Sequence, residues 1–217
     1  MPNIALTTYC NLHCPYCFAD TMIQTEDIKN ISLEKFKSIC EWVLKDKPKE
    51  TVGHIGLIGG EPTLHPQFKE ILSIVDDIFI KNNCGGVLFT NGVYLEEFLP
   101  YIPEKLHILI NVNTPNAMNI EQWNKMNSTL DEIYNLGWFK NKVAIGCNVC
   151  MEIDDYDFFW SIVNKYNIKS ARVSVTAPTK KEYKEDKDKY YLTLLPKFVD
   201  FCKKAKMYNV KLTRDCN

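Results

Sequence analysis

The 217-residue sequence contains no apolar run near the ~18 residues that a membrane-spanning helix needs, and neither sign of charge is in excess. Its 26 Lys and Arg residues stand against 27 Asp and Glu residues, which gives a net charge of -1. This balance provides no basic surface in bulk for duplex nucleic acid or an anionic membrane. The first basic residue is Lys29, so the amino terminus lacks the charged region of a secretory signal. These absences predict a cytoplasmic protein that binds neither duplex nucleic acid nor a membrane.

The cysteine pattern argues against a secreted disulfide framework. Nine cysteines are an odd number at irregular spacing, and a chain of this length can bury a core without disulfide support. In a reducing compartment such thiols are either buried core residues or ligands of a metal or redox centre. The cysteines are therefore the first candidates for chemistry.

Short apolar runs alternate along the chain with segments of helical period, which is typical of βαβ units and a parallel sheet. The order has no internal break, so we expect an α/β fold in a single domain over residues 1–217. Strands are predicted at Ile4–Thr8, His54–Ile58, Gly86–Thr90, Leu106–Val112, Lys142–Val149 and Ala171–Thr176, with a seventh candidate at Val210–Thr213.

Helices are predicted between these strands from apolar residues three and four apart. The first has Ser32 as its N-cap and the last begins at Pro196, a residue suited to a first helical turn. The others are expected around Phe68–Phe79, Tyr94–Leu99, Ile120–Ile133 and Phe159–Tyr166. The charge-rich residues 179–189 are predicted to form a mobile connection, and residues 209–217 are a candidate start of a carboxyl-terminal extension.

Three predicted strands carry a polar face where a buried parallel strand is normally apolar on both sides. Asn111 and Asn113 alternate with apolar residues in the fourth, Asn148 does so in the fifth, and Arg172 in the sixth. If the strands are parallel, these faces converge on a wet interior that a polar ligand can enter. An antiparallel sheet with an ordinary solvent face is the alternative.

The most specific motif follows the first strand, where Cys10, Cys14 and Cys17 form a Cys-x3-Cys-x2-Cys loop. Three thiolates so close together can hold three irons of a [4Fe–4S] cluster and leave the fourth iron without a protein ligand. Structural zinc is the rival, but it needs four ligands, commonly as two separated pairs. Cys147 and Cys150 are spaced to point to opposite faces of a strand, so we interpret them as core residues. Cys216 has no assigned role.

A second motif, Gly59-Gly60-Glu61-Pro62, ends the second predicted strand. Paired glycines permit a close backbone approach, and Glu61 then lies at the carboxyl edge of the sheet, where α/β folds bind ligands. An ordinary turn explains this motif if it stands alone.

Together the two motifs resemble those of the radical S-adenosylmethionine (SAM) superfamily. The resemblance covers the chain from its first strand to about Thr176 and implies a partial (β/α)6 TIM-like barrel with parallel strands. It further implies a [4Fe–4S] cluster on the three cysteines, with SAM on the open iron and Glu61 hydrogen-bonded to its amino group. The other cofactor-binding residues that it implies are Tyr16, Gly59, Gly60, Asn111, Asn113, Asn148 and Arg172.

The same resemblance implies a reaction. The reduced cluster would split SAM into methionine and a 5′-deoxyadenosyl radical, which would abstract hydrogen from a polar small molecule or peptide. The implied electron donor is a flavodoxin or a ferredoxin. Arg172 suggests an anionic substrate group, although an internal salt bridge explains it as well. The other open hypotheses are an activase acting on a partner protein and a non-catalytic iron–sulfur or zinc-binding module.

Overall fold

The computed structural model describes residues 2–17, 27, 29–45, 54–178 and 185–214. Seven strands lie in these ranges: β1 (Asn3–Ala5), β2 (His54–Ile58), β3 (Gly85–Thr90), β4 (Leu106–Asn111), β5 (Val143–Val149), β6 (Ser170–Val175) and β7 (Lys211–Arg214). Five α-helices accompany them: α1 (Leu33–Lys45), α2 (Phe68–Asn82), α3 (Ile120–Asn135), α4 (Asp157–Lys165) and α5 (Lys187–Met207).

The strands form one sheet in which spatial order follows chain order from β1 to β7. Every neighbouring pair is parallel, so the antiparallel alternative is wrong and the predicted α/β fold is confirmed. A crossover helix between sequential parallel strands turns the sheet in one direction, which gives a partial TIM-like barrel. The candidate seventh strand is present as β7.

The predicted alternation along the strands sorts their side chains into two faces. In β5, Ile145 and Val149 are fully buried on the side covered by the helices, whereas Asn148 on the other side is partly exposed. The register places Asn111 of β4 beside Gly146, and Gly146 beside Arg172 of β6. The polar faces of these strands therefore line a common lumen.

Helix α1 begins as predicted, because the Ser32 hydroxyl accepts a hydrogen bond of 3.2 Å from the backbone N–H of Lys35. Helix α3 begins with a reciprocal cap between Asn119 and Gln122. Ile120 was expected on its buried stripe, but that side chain is 74% exposed, so this part of the prediction is wrong. The buried stripe of α3 begins further along the helix, at Met126, so Ile120 lies before the part that packs on the sheet.

Strand β1 is shorter than the predicted Ile4–Thr8 because the chain changes partner after Ala5. The Leu6 carbonyl accepts a hydrogen bond from the N–H of Ile31, and Thr7 forms an isolated antiparallel bridge with Asn30. The segment that enters α1 therefore pairs with the chain where the parallel ladder ends.

The expected start of the last helix at Pro196 is wrong, because α5 begins nine residues earlier, at Lys187. The Asp186 side chain accepts a 2.9 Å hydrogen bond from the N–H of Lys189. The side chains of Tyr190 and Leu194, in the first turns of the helix, are buried in the core. Part of the predicted mobile connection is therefore helical. Residues 179–184 of that connection, and residues 215–217 of the candidate extension, lie outside the described residues.

Within the described part of the chain, no helix combines the length and the apolar character needed to cross a membrane.

Candidate functional site

The three-cysteine loop follows β1 at the carboxyl edge of the sheet. Cys10, Cys14 and Cys17 are each partly exposed, and the N–H of Cys17 donates to the carbonyl of Cys14 in a tight turn. The N–H of Leu12 donates to the Cys10 sulfur at 3.5 Å. The loop is therefore ordered by its own backbone, and one of its three sulfurs accepts a backbone hydrogen bond.

The Gly-Gly-Glu-Pro turn is hydrogen-bonded directly to this loop. The N–H of Gly60 donates to the carbonyl of Thr7 at 2.8 Å, and the N–H of Glu61 donates to the carbonyl of Tyr9 at 2.7 Å. A Cβ atom on Gly60 would stand 2.1 Å from the Tyr9 carbonyl oxygen, so only glycine permits this approach. The second motif thus fixes the backbone that enters the first.

Glu61 is 1% exposed, and its carboxylate accepts four hydrogen bonds from the protein. One oxygen accepts from the Thr63 N–H at 3.2 Å, the Thr63 hydroxyl at 2.8 Å and the Thr90 hydroxyl at 2.6 Å. The other accepts from the N–H of Asn91 at 2.8 Å. Burial raises the pKa of this carboxyl, and the four hydrogen bonds offset part of the rise. Glu61 therefore joins the ends of β2 and β3, and its contact with a cofactor stays a prediction.

Substituting Glu61→Gln tests this structural role. The amide nitrogen of glutamine would replace an oxygen that accepts a hydrogen bond, leaving a buried donor opposed to a donor. We expect the free energy of unfolding to fall by about 1–3 kcal/mol in urea titrations. The matched control is Glu97→Gln, at an exposed position, for which we expect a change within about 0.5 kcal/mol. Equal stability of the two variants would contradict the role.

Two side-chain amides also hold the cysteine loop through Asn11, one by its side chain and one by its backbone carbonyl, and sequence reasoning did not predict these contacts. The Asn91 amide donates to the Asn11 side chain at 2.8 Å, and the Gln122 amide donates to the Asn11 carbonyl at 2.9 Å. The only sequence signal was the Thr90-Asn91-Gly92 turn after β3, which is common at strand ends. The loop is thus fastened to β3 and to the start of α3.

Asn113, predicted to bind the cofactor, lies against the cysteine loop. Its side-chain oxygen accepts hydrogen bonds from the Tyr16 hydroxyl and from the Cys14 thiol, the latter at 3.4 Å. Its amide nitrogen donates to the Asn111 carbonyl at 3.1 Å. Asn113 and Tyr16 are both buried beside the central cysteine, and their contact with a cofactor stays a prediction.

The remaining predicted residues face the lumen. Asn111, Asn148 and Arg172 are partly exposed on β4, β5 and β6. The Arg172 guanidinium carbon lies 5.5 Å from the centre of the Phe89 ring on β3, so this side chain crosses the interior. Desolvation lowers the pKa of Arg172. The lumen therefore contains a cation among neutral amides.

The donor set favours a cluster over a single ion. Burial is the main cause that raises the pKa of Cys10 to about 11 and that of Cys14 to about 12, and each is raised further by a neighbouring cysteine of the loop. In the described residues, no three His, Cys, Asp or Glu side chains are arranged to hold one metal ion. Zinc needs its ligands to converge on one point, whereas a cubic cluster takes each thiolate on a different iron. The loop supplies three donors of the type that such a cluster takes, which are the thiols of Cys10, Cys14 and Cys17.

Of the other cysteines in the described ranges, four are buried in the core and Cys202 is partly exposed. Cys147 and Cys150 are buried, as predicted, and the N–H of Cys150 donates to the Tyr156 hydroxyl oxygen at 3.0 Å. None of the cysteines in the described ranges forms a disulfide. Cys216 lies outside those ranges.

Sequence comparison matches the chain to a known family. The family model described as the Radical SAM superfamily matches residues 4–142. The chain is 27% identical to GTP 3′,8-cyclase of Synechocystis sp. over 162 residues, 72% of this chain and 47% of that protein. It is 32% identical over 100 residues to 7,8-dihydro-6-hydroxymethylpterin dimethyltransferase of Methanocaldococcus jannaschii, 45% of this chain and 19% of that protein. The match thus spans about half the length of the cyclase and about a fifth of the length of the dimethyltransferase.

Structural comparison supports the fold. Streptococcus suis SuiB, solved with S-adenosylmethionine, superimposes with a TM-score of 0.68 at 14% identity over 99% of this chain and 50% of SuiB. A mutant of spore photoproduct lyase gives a TM-score of 0.56 at 10% identity over 80% of this chain and 56% of the lyase. At these identities the likeness concerns the fold alone.

Proposed function

The chain belongs to the radical SAM superfamily, and from this premise we propose that Cys10, Cys14 and Cys17 hold a [4Fe–4S] cluster. Members of the superfamily bind this cluster and SAM, and the chain is a radical SAM enzyme by family. The observation that carries the proposal is the pair of backbone hydrogen bonds by which the Gly60–Glu61 turn holds the residues that lead into the three-thiol loop. When bound, the cluster supplies the electron that cleaves SAM reductively.

The residues around the loop have distinct tasks in this proposal. Asn113 and Tyr16, which are hydrogen-bonded to each other, pack beside Cys14, and Glu61 ties the turn beside the loop to the end of β3. Because Gly59 and Gly60 have no side chains, the backbone of Thr7 and Tyr9 can lie directly against the turn. The polar lumen positions the substrate away from bulk water. The proposed SAM contacts of Tyr16, Glu61, Asn111, Asn113 and Asn148 follow the family resemblance. For Arg172, which the resemblance also assigned to the cofactor, we propose a contact with the substrate instead.

We propose a polar small molecule with an anionic group as the substrate. Arg172 supports this, because a guanidinium in a lumen lined by amides recognises a carboxylate or phosphate through paired hydrogen bonds. Two relatives are named for action on GTP and on a pterin, which are polar heterocycles. GTP is therefore the first probe, since it also carries a triphosphate.

Substituting Arg172→Ala is expected to weaken GTP binding at least tenfold, about 1.4 kcal/mol, in equilibrium dialysis. Cleavage of SAM without substrate should stay within about twofold, because Arg172 acts on the substrate in this account. The control is Lys105→Ala, which removes an exposed charge outside the lumen. Equal binding of GTP by the Arg172→Ala variant and the unmodified chain would contradict an anion-binding role.

The enzyme proposal is tested by anaerobic reconstitution with iron and sulfide, followed by reduction with dithionite in the presence of SAM. We expect 5′-deoxyadenosine and methionine in equal amounts. A fully loaded cluster that gives neither product would contradict the proposal.

The electron donor in the cell is proposed to be a flavodoxin or ferredoxin, because relatives in this family need a one-electron reductant. A reducing cytoplasm suits the thiols of the described ranges, which form no disulfide.

A further inference from the structure

Helix α5 carries a second apolar stripe that the fold leaves exposed. Its packing face buries Tyr190, Leu194, Phe201 and Ala205. On another side, Leu192 is 69% exposed, Leu195 is 51% exposed and Val199 is 41% exposed. Three large apolar side chains on one exposed strip of a helix indicate a contact surface.

The spacing of this strip is that of a coiled coil. Its members are separated alternately by four and three residues, which is the heptad pattern of positions that face a partner helix. We define the α5 stripe as Asp188, Leu192, Leu195, Val199, Cys202 and Lys206. The apolar residues and the partly exposed Cys202 occupy the middle, and an exposed charge of opposite sign stands at each end.

The stripe is complementary to itself when two copies run antiparallel. A two-fold axis through its centre places Asp188 against Lys206 of the second copy, Leu192 against Cys202, and Leu195 against Val199. Each layer then joins two apolar or weakly polar residues, and each end joins opposite charges. A parallel pair would instead place Asp188 of one copy against Asp188 of the other, and Lys206 against Lys206. Both contacts join like charges and are repulsive.

We propose that α5 is a dimerisation surface on which a second copy of this chain docks antiparallel through the α5 stripe. The stripe is about 27 Å long, so the contact is small and the dimer is expected to form in the micromolar range. Lys189 and Lys203 flank the stripe, and in such a pair Lys189 of one copy faces Lys203 of the other across the rim of the contact. This proposal is independent of the proposed enzyme activity.

The test is sedimentation velocity of the full chain from about 1 to about 300 µM, a span chosen for a weak interface. We expect a concentration-dependent monomer–dimer equilibrium that Leu192→Glu shifts to monomer. The matched control is Ile80→Glu on α2, since Ile80 is 70% exposed and lies off the stripe. A monomer at every concentration, or a dimer that Leu192→Glu leaves unchanged, would overturn the proposal.

Charge exchange tests the antiparallel register. Asp188→Lys and Lys206→Asp should each weaken the dimer about tenfold, because each creates two repulsive pairs. The double variant should recover most of the loss, since 188 and 206 then attract again across the axis. These charges also suit their own helix ends, so circular dichroism must show that α5 keeps its helicity. Failure of a folded double variant to recover dimerisation would overturn the register.

One further variant is expected to strengthen the contact. Lys203→Glu replaces a flanking repulsion with an attraction to Lys189 of the second copy, so the dimer should form at lower concentration. Because this change keeps both end charges, it remains informative if the exchanged variants do not fold. An unchanged or weaker dimer in Lys203→Glu would count against the antiparallel arrangement.

Discussion

Replacing Cys14 with alanine is expected to abolish reductive cleavage of SAM, with 5′-deoxyadenosine falling by at least a thousandfold, about 4 kcal/mol. Cys14 is the central thiol of the loop and the one that Asn113 contacts at 3.4 Å. Two thiolates do not provide the three protein ligands that leave a single iron open. Iron and sulfide per reconstituted chain, measured beside the product, show whether the loss comes from the cluster.

Cys40→Ala is the matched control for this substitution. Cys40 is buried in α1 and takes no part in the loop, so its replacement removes a thiol from the core only. We expect some loss of stability, full cluster content and product formation within about twofold. If Cys14→Ala kept its cluster and its activity, the assignment of the three-cysteine loop would be wrong.

The second large effect is expected for Gly60→Ala. The added methyl carbon would stand 2.1 Å from the Tyr9 carbonyl oxygen and 3.0 Å from the backbone nitrogen of Cys10. These are backbone atoms, so the strand end and the cysteine loop must move apart. We expect a loss of about 3 kcal/mol in the free energy of unfolding and a reconstituted cluster content below half. Urea unfolding and iron analysis measure the two effects separately.

Gly137→Ala distinguishes crowding from backbone strain. Gly137 has a positive φ of +71°, but a Cβ atom there would meet nothing within 4 Å. We expect a stability loss of about 1 kcal/mol from the left-handed conformation and no change in cluster content. A Gly60→Ala variant with the same mild loss and a full cluster would show that the backbone contact is not needed.

The motifs and the strand order could be predicted from the sequence because their signals are local. Cys10, Cys14 and Cys17 lie within eight consecutive positions, and each strand of the sheet pairs with the next one along the chain. Alternating polar residues correctly indicated which faces of β4, β5 and β6 converge. The start of α1 could also be predicted, because the N-cap residue Ser32 is a local signal.

The features that sequence reasoning missed depend on distant partners or on competing local signals. Asn11 meets Gln122, which follows it by 111 positions, and neither residue carries a motif. Pro196 favours a helix start locally, but the Asp186 cap and the burial of Tyr190 extend α5 upstream and keep the proline inside it. Glu61 was expected to face a cofactor, and only the fold shows how many internal donors its carboxylate meets.

The most direct measurement is electron–nuclear double resonance on the reduced, reconstituted chain with SAM labelled by ¹⁵N in its amino group. Direct coupling of that nitrogen to the cluster is the predicted result, because the three-thiol loop leaves one iron for the cofactor. The contradicting result is a reduced cluster that shows no coupling to ¹⁵N when SAM is saturating, and in which a fourth protein ligand occupies the iron that the three thiols leave open.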